Sequence, residues 1–75
     1  MAKATRFSRL SFGAAIRRER GSLHLSQEEF AERANVHRTY ISSIELGKVS
    51  VGIEVANELA HALDMRLSEL IQLAE

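Results

Sequence analysis

Residues 26–48 read SQEEFAERANVHRTYISSIELGK, and the punctuation of this stretch predicts two short helices joined by a tight turn. Ser26 followed three residues later by Glu29 is a capping box. The hydroxyl accepts from a first-turn backbone N–H, and the carboxylate accepts from the N–H of the cap residue. Leu25 before the cap and Phe30 after it form a hydrophobic staple. The helix so begun runs Gln27 to Ala34. Asn35 follows, a residue type that tolerates positive φ and suits a tight turn. His37 reads as the N-cap of a second helix, about Arg38 to Leu46, with Gly47 as its C-terminal stop. Two helices joined by a turn of three to four residues are the helix-turn-helix unit, here about residues 27–46. Phe30, Ala34, Val36, Ile41 and Ile44 are apolar where the two helices face each other, and Ala31 is small where they would otherwise collide. The outer face of the later helix then carries Arg38, Thr39, Ser42 and Ser43. These side chains can hydrogen-bond base edges, and Arg matches the two major-groove acceptors of guanine. Gln27 opens the earlier helix, where unpaired N–H groups and the positive dipole end favour a phosphate.

Outward from this unit the chain stays helical. A first helix starts near Phe7 or Ser8 and runs toward Leu23, with Phe12, Ala15, Ile16 and Leu23 as its apolar side. Two endings are open to it: Gly21 can stop it early, or His24 can take a left-handed residue after a longer helix. Downstream, Ala56, Leu59, Ala60 and Leu63 repeat at helical spacing within about Ile53 to Leu63. A last helix covers about Arg66 to Leu73, with Leu67, Leu70, Ile71 and Leu73 apolar. The expectation is an all-α, five-helix domain over residues 8–75, preceded by a flexible basic N-terminal arm over 1–7.

Length and composition narrow the class. Seventy-five residues hold one domain, and a domain of that size buries only about 60% of its unfolded surface. With no Cys to staple it, it needs an efficient core or a second copy of itself. No stretch has the long apolar run of a signal peptide or membrane span, so no membrane partner is expected. His24, His37 and His61 lie on different elements, far from metal-ligand spacing. No strand-to-helix elbow or glycine-rich loop accompanies the Ser and His residues, so neither enzyme activity nor a cofactor is expected. Charge is neutral overall but unevenly placed. Lys3, Arg6, Arg9, Arg17, Arg18 and Arg20 stand against Glu19 alone in residues 1–20. Arg66 stands alone against Glu54, Glu58, Asp64, Glu69 and Glu75 in residues 49–75. The first region suits an anionic partner, the second something else.

SQEEFAERANVHRTYISSIELGK resembles the lambda-repressor-like (Xre-type) helix-turn-helix family. The run RTYIS followed by IE and G is most similar to the controller proteins of restriction–modification systems, five-helix homodimers that regulate their own promoter and that of the endonuclease. The similarity covers about residues 8–73. It implies base reading by Arg38, Thr39 and Ser43, and phosphate contacts by Gln27, Tyr40 and Lys48, to which Ser42 is added from its place on the same face. It also implies a partly buried ion pair between Arg20 and Glu45. Two departures stand out: His37 occupies an N-cap that is often acidic in controllers, and Val49-Ser50 replaces the Arg-Asn often found after the third helix.

The implied function is sequence-specific binding of double-stranded DNA as a homodimer on a pseudo-palindrome, in a bacterial or phage cytoplasm, with RNA polymerase as a further partner. Val49, Val51, Ile53, Val55 and Met65 are the apolar residues least needed by the core stripe, which makes them the expected dimer interface. The alternative is an antitoxin whose main partner is a toxin protein. A third reading, a protein-interaction module that only keeps the scaffold, is disfavoured by Gln27, Arg38 and Thr39, which retain DNA-facing chemistry.

Overall fold

A computed structural model describes residues 7–75, and within them the chain forms five α-helices and no strand. They are α1 (Arg9–Ser22), α2 (Gln27–Ala34), α3 (Arg38–Glu45), α4 (Ile53–Ala62) and α5 (Leu67–Ala74). The expected basic arm lies, apart from Phe7, outside the described residues, and Lys3 and Arg6 with it. α1 packs on α3 and α5, α2 packs on α3 and α4, and α4 packs on α5. Phe30, Ile16, Ile41, Ile44, Leu59 and Leu70 are the large side chains fully enclosed between them. All four residues of the expected α4 stripe, Ala56, Leu59, Ala60 and Leu63, are buried.

The helix starts are set by local side-chain bonds. Ser26 Oγ accepts from the Glu29 N–H at 3.0 Å, and Glu29 Oε1 accepts from the Ser26 N–H at 2.8 Å. Ser8 and Ser11 make the same reciprocal pair at the start of α1. The helix stops share one geometry. His24, Asn35, Gly47 and Asp64 all sit in the left-handed region after α1, α2, α3 and α4. After each, the next N–H reaches back to a last-turn carbonyl: Leu25 to Arg20, Val36 to Ala31, Lys48 to Ser43 and Met65 to Ala60, at 2.9–3.2 Å. This double-bonded ending satisfies carbonyls that the helix itself leaves unpaired. His24 therefore ends α1, and Gly21 lies inside the helix.

Three expectations shift. Leu46 and Leu63 follow α3 and α4 as caps instead of closing them, and α5 begins one residue later, with Arg66 as its cap. Leu23 is 40% exposed and does not belong to the core. The left-handed residue at His24 turns the chain away before Leu23 can reach the interior.

Gly13 explains how closely α1 approaches the recognition helix. A Cβ there would lie 2.1 Å from the carbonyl oxygen of Ile44 and 3.0 Å from that of Glu45. Only a residue without a side chain lets the middle of α1 rest on the C-terminal backbone of α3.

Candidate nucleic-acid interface

α3 presents two faces. Ile41 and Ile44 are buried, and half-buried Tyr40 packs against the core beside them. On the opposite side Arg38 and Thr39 are exposed, and Ser42 and Ser43 are half-buried one turn further on. Lys48 is exposed just past the Gly47 turn. The spacing i, i+4 places Ser42 behind Arg38 and Ser43 behind Thr39 along the helix. The residues expected to read bases thus share the solvent face at and after the N-terminus of α3, the part of a recognition helix that reaches base edges.

Behind this face lies a polar network. The Arg20 guanidinium forks onto Glu45, with Nε 2.6 Å from Oε2 and Nη2 2.9 Å from Oε1. Its remaining nitrogen, Nη1, donates to the Leu25 carbonyl at 2.8 Å. Gln27 Nε2 donates to Glu45 Oε1 at 3.0 Å. The Glu45 side chain is only 3% exposed, so its carboxylate has exchanged water for three N–H donors. This bidentate geometry is the strong form of an ion pair. The hydrogen bond to Glu45 raises the Arg20 pKa above its ordinary value, with burial opposing it, so the guanidinium stays charged. Among the described residues no buried side-chain nitrogen or oxygen lacks a partner. Through four residues the network joins α1, the turn after it, the start of α2 and the end of α3.

The expected pair of Arg20 and Glu45 is therefore present, and Gln27 belongs to it. Nothing in the spacing of Gln27 and Glu45, 18 residues apart, signals their contact. The N-cap of α3 is His37, as expected. Its Nδ1 accepts from the Thr39 N–H at 3.2 Å and also meets the Thr39 hydroxyl. Next to Arg38, α2 carries Glu28, Glu29 and Glu32, which border an open depression with Val36 and His37. DNA phosphates are repelled by that acidic strip, so a duplex is favoured on the Ser42–Lys48 side of Arg38.

Arg18 and Arg33 do something the charge distribution did not suggest. Arg18 Nη2 donates to the Leu73 carbonyl and Arg33 Nη1 to the Ala62 carbonyl, both at 3.4 Å. Each caps the C-terminus of a helix in the acidic half, where a cation meets the negative dipole end. Arg18 and Arg20, two of the basic residues counted in 1–20, thus have internal partners.

At the other end of the molecule, Phe7, Phe12, Val49, Val51, Ile53, Ala56, Leu67 and Ile71 line an apolar groove of about 240 Å³, with Arg9 and Ser50 at it. Phe7 and Phe12 meet edge to face with ring centroids 6.0 Å apart. Ile53 is 75% exposed. Of the expected interface residues, Val49, Val51 and Ile53 line the groove. Val55 and Met65 do not, and are half-buried against the core. Among the described residues no helix is long and apolar enough to cross a membrane.

A two-helix reading unit on a five-helix scaffold defines a class, and comparison with known proteins gives that class its family. A helix-turn-helix family profile (HTH_3) matches residues 16–70, and the chain belongs to this family. It is 38% identical over 64 residues to the control protein C.BamHI of Bacillus amyloliquefaciens, covering 84% of this chain and 79% of that protein. Its fold superposes on the crystal structure of the restriction–modification controller protein C.AhdI from Aeromonas hydrophila with a TM-score of 0.80, at 34% identity, over 83% of this chain and 94% of the other. The clp gene regulator ClgR from Corynebacterium glutamicum superposes with a TM-score of 0.84 at 30% identity, over 88% and 70% of the two chains.

Proposed function

We propose that this helix-turn-helix regulator binds double-stranded DNA as a homodimer and controls transcription in the manner of a restriction–modification controller. The observation that carries this reading is the exposed Arg38–Thr39 edge, backed by a buried network that holds α3 at a set angle to α1 and α2. Arg38, Thr39 and Ser43 read bases. Gln27, Tyr40, Ser42 and Lys48 contact phosphate and set the register. Residues 8–75 serve both DNA binding and dimerisation, and residues 1–7 form a basic arm. The role is binding, not catalysis, and its place is a bacterial or phage cytoplasm.

One copy offers a single short recognition helix with few cationic contacts, and affinity for a specific site depends strongly on their number. Two copies related by a two-fold axis place their α3 helices in successive major grooves about 34–36 Å apart. The apolar groove and exposed Ile53 support a second copy there, next to Val49 and Val51, with Val55 and Met65 at its margin. That placement turns the acidic half away from DNA. Bound at a promoter, the dimer represses by blocking RNA polymerase or activates by touching it. The controller named among the relatives favours this reading over an antitoxin.

The test uses duplexes selected by the full chain from a randomised pool, together with sedimentation from nanomolar to high-micromolar concentration. The expected result is a palindromic consensus bound by two copies, with Arg38→Ala losing about 1–3 kcal/mol and its preference at one base pair per half-site. Ile53→Lys should keep its helix content and weaken self-association at least about tenfold. A chain that stays monomeric throughout and binds one copy per site would overturn the dimer. Equal loss on every sequence for Arg38→Ala would overturn its base-reading role.

A further inference from the structure

The first turn of α3 has a hydrogen-bond polarity that bears on what Thr39 can read, given the base-reading role proposed for it above. His37 accepts at Nδ1 from the Thr39 backbone N–H. An amide can only donate, so Nδ1 carries a lone pair and the ring proton sits on Nε2. The Thr39 hydroxyl meets that same nitrogen, and a hydroxyl facing a lone pair must donate to it. The hydroxyl proton is thus held within the helix. What the exposed Thr39 oxygen still offers a partner is its lone pairs.

We propose that His37 makes Thr39 an acceptor-only reader, selecting a base that presents an exocyclic amino group at its position in the major groove: adenine N6 or cytosine N4. The acceptor edges of guanine and thymine are disfavoured there. A threonine hydroxyl is ordinarily ambiguous, because it rotates and donates or accepts as the base requires. Here the neighbouring ring removes that choice. An acidic cap would supply the same lone pairs, but would add a negative charge beside the phosphates. Neutral imidazole fixes the polarity without that repulsion.

The test starts from the sequence that the full wild-type chain selects from randomised duplexes. Single amino groups are then deleted from it, purine replacing adenine and pyrimidin-2-one replacing cytosine. One deletion per half-site should weaken wild-type binding about fivefold and leave Thr39→Val unaffected, which locates the base that Thr39 reads. At that position the wild type should prefer A or C over G or T by about tenfold. His37→Gly keeps a permissive N-cap at small cost but frees the hydroxyl, and should narrow the preference to about twofold. His37→Asp retains an acceptor and should keep the ratio while binding all duplexes more weakly. Helix content by circular dichroism checks that each variant folds. The inference is overturned if Thr39→Val couples to a guanine or thymine acceptor, or to no base at all. It is also overturned if His37→Gly leaves the ratio unchanged. A wild-type chain that selects no sequence at all removes the DNA-reading function itself, and this inference with it.

Discussion

The α1–α3 half and the α4–α5 half are held by different chemistry. In the first, side chains cap all three helices, at Ser8, Ser26 and His37, and a buried carboxylate gathers three donors from two other elements. In the second, α4 starts at Gly52 with no side-chain cap, and the packing is apolar, through Ala56, Leu59, Ala60, Leu63, Leu70 and Ala74. Hydrogen bonds and ion pairs are directional, and their geometry sets angles. Apolar burial is not directional and rewards area alone. A recognition helix must be held within narrow limits to meet base edges, so the directional bonds collect around α3. The other half needs only to be covered, and its groove and Ile53 remain available for covering by another chain.

The strongest way to break this contrast is to remove the centre of the network. Glu45→Ala leaves the Arg20 guanidinium without its carboxylate in a site where its side chain is 15% exposed. The expected cost is about 3–5 kcal/mol, a large share of the stability of a small domain. Thermal unfolding should show a fall of more than about 10 °C. Glu19→Ala is the control. Its contact with Arg18 is 3.5 Å long and solvent-exposed, so its loss should stay within about 0.5 kcal/mol. If the two variants unfold together, the network does not carry the first half.

A smaller effect sharpens the same point through two glycines of α1. Ala is the better helix former by about 0.5–1 kcal/mol. Gly21→Ala should realise that gain, because an added Cβ meets nothing within 4 Å. Gly13→Ala should instead lose about 1–3 kcal/mol, since its Cβ would press on the Ile44 and Glu45 carbonyls. Denaturant midpoints of opposite sign are expected, and a gain at both positions would mean that α1 does not depend on this close approach to α3.

The smallest effect is a pH dependence at the α2 cap. The Ser26 backbone N–H, with the Ser26 side chain next and the Arg33 charge assisting, holds the Glu29 carboxyl below the ordinary carboxylate range. A folded-state pKa below the unfolded one means that the contribution is complete above the unfolded pKa. It is lost as pH falls through the folded pKa. Glu29→Gln should therefore be less stable than the wild type near neutrality, with the difference closing in acid. A difference that does not vary with pH would show that the carboxylate charge is irrelevant to the cap.

Ser26 with Glu29, Asn35, Gly47 and the α4 stripe were legible because each acts within one or two helical turns. A cap bonds a residue three positions on, a left-handed stop acts on the turn before it, and an amphipathic stripe repeats every turn. These local signals placed the two reading helices and the candidate base-reading face of α3. The pair of Arg20 and Glu45 was accessible only through family resemblance, since its partners are 25 residues apart. The tertiary structure alone decided that Gln27 joins that pair, that Gly13 lies under two carbonyls of α3, and that Arg18 and Arg33 cap distant helices. It also decided that Leu23 stays outside the core while Gly21 stays inside α1. Each depends on where two helices meet. The crossing of helices follows from the shape of the assembled core, which no spacing along a single helix records.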